Sequence, residues 1–78
     1  MTKKLFNWTF RDVDSFLKEH KFVLNYTNGS HYYYIGHKNN ILRHVCVPFH
    51  GSKIIKPRTL RGIILQSGIS QKEWFENN

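Results

Sequence analysis

Residues 22–35 read FVLNYTNGSHYYYI, two runs of β-branched and aromatic residues separated by an Asn-Gly step. Such runs favour β-strands, and Asn-Gly is a strong hairpin signal because both residues tolerate the positive φ of a tight turn. We therefore predict a strand over 22–27, a turn at Asn28 and Gly29, and a second strand over 30–35. This hairpin presents His31 near the start of its second strand.

The second strand of the hairpin carries three consecutive tyrosines, Tyr32, Tyr33 and Tyr34. Side chains alternate between the two faces of a strand, so Tyr32 and Tyr34 share one face. Tyr33 shares the other face with His31 and Ile35. Periodicity alone does not decide which face covers the core, so the orientation of His31 stays open.

A third strand is predicted after the hairpin. Residues 36–40 suit a turn, and residues 41–47 suit a strand that Pro48 ends, because proline removes a ladder donor. The side chains predicted to face the core are Ile41, Val45 and Val47, whereas His44 is predicted to be exposed.

A helix is predicted before the strands. Thr9 fits its N-cap, and Asp12, three residues later, completes a variant of the capping box. The helix ends near His20. Its packing face, at helical spacing, consists of Phe10, Val13, Phe16 and Leu17. Leu5, Phe6 and Trp8, in the segment before it, are candidates to dock on the core.

Two helices are predicted after the strands. Pro57 fits the first turn of the first of them, Leu60, Ile63 and Ile64 form its apolar stripe, and Gly68 ends it. Ser70 and Glu73 form a capping box that opens a short last helix. Its Trp74 and Phe75 are expected to close the core.

The order of elements defines the fold class. We predict an α+β fold with α-β-β-β-α order and a short C-terminal helix, a three-stranded antiparallel sheet with helices packed on one face. A chain of 78 residues with 40% hydrophobic residues suits a single domain over 1–78. The other sheet face is expected to stay open to a partner.

Membrane and secretory classes are not favoured. The aliphatic run 63–65 is far shorter than a membrane helix, and residues 1–4 do not resemble a signal peptide. Cys46 is the only cysteine, so an intrachain disulfide is excluded. We expect a cytoplasmic protein without a membrane partner, monomeric when free.

The charge of the chain is segregated. The formal net charge is +7, and residues 20–72 contain no carboxylate, because all five acidic residues lie near the ends. An uncompensated positive region attracts polyanions, so nucleic acid or an acidic protein is the expected partner. The alternative is a basic surface that only maintains solubility.

Four cations, Lys53, Lys56, Arg58 and Arg61, bracket the start of the second long helix. A helix N-terminus offers unpaired N–H groups and a positive dipole end, so cations there can form a phosphate-binding site. We interpret these four residues as RNA phosphate contacts, with the tyrosines available to stack on single-stranded bases. The alternative is a solvated helix start.

Metal and thiol chemistry are weaker readings of the sequence. His44 and Cys46 share a strand face, but their spacing is not that of a zinc site, and no carboxylate lies nearby in sequence. Thiols in mid-strand usually serve packing. We therefore predict no metal, no cofactor and no Cys46 nucleophile.

A reaction carried by histidine and cations remains. In RNA cleavage the substrate supplies its own 2′-OH nucleophile, a base removes its proton, and fixed positive charge stabilises the phosphorane. Imidazole titrates near neutral pH, which makes His31 a candidate base or acid. The alternative is a structural or merely exposed histidine.

Several motifs together resemble one family. The sequences GSH at 29–31, VCVPFH at 45–50, KPRTLRGII at 56–64 and QSGIS at 66–70 are similar to those of the HicA family of bacterial mRNA interferase toxins. The resemblance runs from the first helix to the last. Their order and spacing make it more specific than any single motif.

This resemblance implies a fold similar to a double-stranded RNA-binding domain, metal-independent endoribonuclease activity on mRNA, and a HicB antitoxin that binds and blocks the toxin. The catalytic histidine of the family falls on His31. Gly29 would then shape the turn, and Ser30 would hydrogen-bond a phosphate.

Our leading hypothesis is a toxin that inhibits translation by cleaving mRNA, with His31 as general acid or base and His50 as a second participant. The runner-up is a non-catalytic RNA-binding module that uses the same surface. A third reading, compatible with the first, makes the basic face the docking site of an acidic regulator.

Overall fold

The computed structural model describes residues 7–75 and confirms the predicted α+β fold. Its elements are α1 (Phe10–Glu19), β1 (Val23–Asn28), β2 (His31–Lys38), β3 (Ile41–Pro48), α2 (Pro57–Ser67) and α3 (Gln71–Phe75). The strands form an antiparallel sheet in the order β1-β2-β3. The possible docking of Leu5 and Phe6 concerns residues outside the described range.

The ends of α1 and α2 agree with the predictions. The Thr9 N–H donates to Asp12 Oδ2 at 2.9 Å, and the Asp12 N–H donates to Thr9 Oγ1 at 3.4 Å, which confirms the capping box. α1 ends at its C-cap His20, as predicted. α2 begins at Pro57 and ends before Gly68, also as predicted.

The core lies between the helices and one face of the sheet. Tyr34 on β2 and Val45 and Val47 on β3 are at most 1% exposed, and they belong to the same buried cluster as the apolar stripes of α1 and α2. Trp8 also docks in this cluster, with its ring centroid 5.3 Å from that of Trp74. The helices therefore cover the face that carries Tyr34.

The first hairpin turn lies one residue later than predicted. Asn28 pairs with His31, so Gly29 and Ser30 form the two-residue loop and Asn28 belongs to β1. Gly29 has a φ of 61°, whereas Asn28 and Ser30 do not adopt positive φ. Positive φ at the first central position alone is the type II′ pattern, which favours glycine there.

The prediction of a turn over 36–40 is wrong, because β2 continues to Lys38. The turn consists of Asn39 and Asn40, both with positive φ. Gly36 is a buried residue of β2. A Cβ at this position would lie 2.6 Å from Cγ of the Phe22 ring. The glycine therefore makes room for an aromatic side chain.

β3 begins at Ile41, as predicted, but its end and the burial of Ile41 differ from the prediction. It includes Pro48, which pairs with His31. Ile41, predicted to be buried, is 52% exposed, because it follows the Asn39–Asn40 turn at the end of the strand farthest from the core residues Val45 and Val47. His44 is exposed, as predicted.

Candidate functional site

His31 is the first residue of β2 and is exposed. Tyr34, three residues later, points into the core, so His31 points to the face of the sheet that the helices leave open. Its partner across the ladder is Pro48 at the end of β3. The hairpin therefore presents the imidazole at one end of the open face.

The loop over 49–56 is tied to the same end of the sheet. The Phe49 N–H donates to the Ser30 carbonyl at 2.7 Å, which continues the β2-β3 pairing into the turn beside His31. At the other end of the loop, the Ile55 N–H donates to the Trp8 carbonyl, also at 2.7 Å. Both ends of the loop are therefore anchored.

A groove with a volume of about 670 Å³ lies between β3, this loop and α2. Four of the predicted site residues line it: His31, His50, Lys53 and Lys56. These residues come from the start of β2, the loop over 49–56 and the N-cap of α2. They line the same groove although they are up to 25 positions apart in sequence. The groove brings two imidazoles and two ammonium groups to one solvent-accessible site.

The N-terminus of α2 opens beside this groove. Lys56 is the N-cap and lines the groove, but its side chain makes no capping hydrogen bond, and the first turn contains no acidic residue. α1, by contrast, is capped by Thr9 and Asp12. Pro57 has no N–H, so the donors without a side-chain cap are the N–H groups of Arg58 and Thr59, and an anion in the groove can accept from such donors.

A family model described as "HicA toxin of bacterial toxin-antitoxin" matches residues 10–69. The chain belongs to the HicA toxin family. The match spans the elements from α1 to α2 and includes the groove residues named above. A search of curated proteins and a search of solved structures found no match.

Membership of this family makes the protein a toxin whose partner is an antitoxin. Its helix, three-strand, helix order is the one that the sequence pattern predicted.

Three predicted site residues of this HicA toxin lie outside the groove. Ser30 is in the hairpin turn, where its carbonyl accepts from Phe49. Arg58 and Arg61 share a face of α2 with Leu65, whereas Thr59, Gly62 and Gln66 line the groove. Arg61 lines a separate cavity of about 370 Å³ near Gly68. The cluster at the start of α2 is therefore divided between two sides of the helix.

Gln66 and Thr59 are groove residues of the toxin that the sequence analysis missed. The Cys46 N–H, on the outer edge of β3, donates to Gln66 Oε1 at 2.9 Å. Pro48, two residues later, has no N–H to satisfy on the same edge. The seven-residue spacing of Thr59 and Gln66 places them on one helix face, but only packing shows that this face meets β3.

Metal-ligating side chains do not cluster in the described part of the toxin. Among residues 7–75, no three His, Cys, Asp or Glu side chains meet in an arrangement that could hold a metal ion. Cys46 is a free, half-buried thiol at the groove. Over the same range, no helix is long and apolar enough to cross a bilayer.

Proposed function

We propose that this toxin is an endoribonuclease that inhibits translation by cleaving mRNA, with His31 as a general acid or base. The observation that carries the proposal is that His31, His50, Lys53 and Lys56 line one groove beside the N-terminus of α2. Two titratable rings together with fixed cations are the groups that phosphodiester cleavage by the 2′-OH requires.

The proposed reaction uses the nucleophile of the substrate. One imidazole removes the 2′-OH proton while the 2′-oxygen bonds to phosphorus, and the bond from phosphorus to the 5′-oxygen breaks. The second imidazole donates a proton to the leaving 5′-oxygen. The products are a 2′,3′-cyclic phosphate and a 5′-hydroxyl, so atoms and charge balance without a co-reactant.

Charge stabilisation is assigned to the basic side of the groove. Lys53 and Lys56 supply cations, and the uncapped α2 terminus supplies N–H donors for the phosphorane oxygens. Ser30, Arg58 and Arg61 remain proposed contacts to RNA phosphates beyond the groove.

The proposed antitoxin is a HicB-type protein that covers the groove. An inhibitor that excludes RNA from His31 must meet Lys53 and Lys56, so its contact surface is expected to carry carboxylates. Such a surface imitates the charge of the RNA backbone.

The first prediction tests the role of His31. We expect His31→Ala to lower the rate of RNA cleavage by at least about 100-fold and to relieve growth arrest, because a general acid or base is lost. The measurements are RNA decay and growth after expression of each variant. His37→Ala is the matched control, because His37 is an exposed histidine of the same strand and face, near the other end of β2.

Equal toxicity of His31→Ala and the unmutated chain would remove His31 from the mechanism. Purified protein incubated with RNA in chelator separates the proposal from the runner-up. Cleavage that stops when the substrate carries 2′-deoxyribose supports the proposal. Binding without cleavage would favour a non-catalytic RNA-binding module.

A further inference from the structure

The open face of the sheet carries an aromatic pair. The rings of Tyr26 on β1 and Tyr33 on β2 stack with their centroids 4.5 Å apart and an interplanar angle of 12°. Tyr26 is 54% exposed. The pair therefore presents flat aromatic surface to solvent on the face that the helices leave open.

The aromatic pair lies next to His31. Tyr33 follows His31 by two residues on the same face of β2, which corresponds to about 6.6 Å along a strand. Tyr33 pairs directly with Tyr26 across the ladder. Cys46 pairs with Tyr33 across the β2-β3 ladder and lines the groove, and a side-chain hydrogen bond with Cys46 raises the pKa of Tyr33.

The charge of this face suits a polyanion. The strand positions that share the face with His31 include Asn28, Tyr33 and Cys46, and none of them carries a carboxylate. The carboxylates among residues 7–75 belong to α1 and α3, in the helical layer on the other side of the sheet. A negatively charged strand can therefore cross the open face without meeting a like charge.

We propose that Tyr26 and Tyr33 form a stacking platform for bases of single-stranded RNA next to the phosphodiester held at His31. The inference rests on the proposed function for the identity of the substrate and adds which form of RNA the site takes. Aromatic stacking on splayed bases is the usual way in which proteins hold single strands.

The platform discriminates against double helices. Bases in a duplex are stacked on one another and cannot lie on an exposed tyrosine, whereas unpaired bases can. The toxin is therefore expected to prefer single-stranded RNA although its element order resembles that of a double-stranded RNA-binding domain. Unpaired nucleotides also leave the 2′-OH free to reach the in-line position that cleavage needs.

The second prediction is a binding experiment with the full chain carrying His31→Ala, so that RNA is not consumed. Fluorescence anisotropy compares a labelled single strand, the same sequence in a duplex, and the same strand with abasic sites. We expect the single strand to bind best, and the added change Tyr26→Ala to weaken its binding by about tenfold. Tyr26→Phe keeps the stacking ring and is expected to bind normally.

The matched control is Thr27→Ala, because Thr27 is the exposed neighbour of Tyr26 on the opposite face of β1. Normal binding of the single strand by Tyr26→Ala, or equal binding of the abasic strand, overturns the platform even if His31 proves catalytic. Conversely, if Tyr26→Ala weakens RNA binding but the unmutated protein never cleaves RNA, the stacking platform is supported and the proposed nuclease activity is rejected.

Discussion

Tyr34 donates its phenolic O–H to Asp14 Oδ1 at 2.6 Å and links the middle of β2 to α1. Asp14 also pairs with Lys18 one turn later, at 3.1 Å. Burial, and then the hydrogen bond to the Asp14 carboxylate, raise the pKa of Tyr34 well above that of a free tyrosine. The ring of Tyr34 therefore packs in the core, and its hydroxyl group bonds to α1.

The third prediction concerns the pH dependence of this contact. A raised pKa in the folded state means that the unfolded chain loses its tyrosine proton first, so the contribution of Tyr34 to stability is complete below about pH 10 and declines above it. We expect Tyr34→Phe to lower the free energy of unfolding by about 1 kcal/mol at pH 7. The gap between the two proteins should narrow above pH 10 in urea titrations.

Tyr26→Phe is the control, since its hydroxyl lies on an exposed ring and its loss should leave stability at pH 7 unchanged. A gap between Tyr34→Phe and the unmutated chain that stays constant from pH 7 to above pH 10 would contradict this account.

At the scale of elements, the length of β2 depends on how it packs against Phe22. Phe22 lies just before β1 and is 1% exposed, and its ring occupies the space that a side chain at position 36 would need. β2 can therefore pass close to the Phe22 ring and continue to the Asn39–Asn40 turn. Glycine is required here for its missing Cβ.

The fourth prediction tests this close approach. Gly36→Ala should lower the free energy of unfolding by about 1–3 kcal/mol, because a buried ring must move to accept the new methyl group. Thermal or urea unfolding measures the change. The control Gly62→Ala has the opposite expected sign, since Gly62 is helical and a Cβ there meets nothing within 4 Å. Its expected gain is about 0.5–1 kcal/mol.

Equal stability of Gly36→Ala and the unmutated chain would show that Phe22 moves aside without cost.

At the scale of the whole molecule, the charges divide the protein into two sides. Carboxylates such as Asp14 and Glu73 lie on the helical layer, where they pair with Lys18 and Lys38. The groove carries Lys53 and Lys56, for which no ion pair is found among the described residues. This arrangement directs an anionic ligand to the groove rather than to the helices.

The fifth prediction is a salt titration. In the His31→Ala background, Lys53→Ala should weaken binding of single-stranded RNA and reduce the slope of log K against log salt by about 0.7, the release expected for one phosphate contact. Arg61→Ala should have a smaller effect, because Arg61 lies on the side of α2 away from the groove. Fluorescence anisotropy at several salt concentrations measures the slope for both variants.

A larger slope change for Arg61→Ala than for Lys53→Ala would place the RNA on the other side of α2.

Local signals in the sequence predicted most elements. The Thr9–Asp12 capping box and the apolar spacing of α1 and α2 predicted both long helices, because a helix is stabilised by contacts within a few residues. The same signals failed where a distant residue decides. The sequence suggested a turn at Gly36, but this glycine makes room for the Phe22 ring inside the fold. Ile41 was expected in the core, but it lies at the end of the β2-β3 hairpin that the helices do not cover.

The sequence by itself determined the fold class, the family motifs and the candidate imidazole, since all three depend on short-range patterns. Only the tertiary structure decided that His31 points away from the helices, because an alternating strand has two equivalent faces until packing buries one. Tertiary structure likewise brought His50, Lys53 and Lys56 to the groove and left Arg61 outside it. The physical reason is that spacing along a chain specifies neighbours within an element, whereas the contacts between elements specify a site.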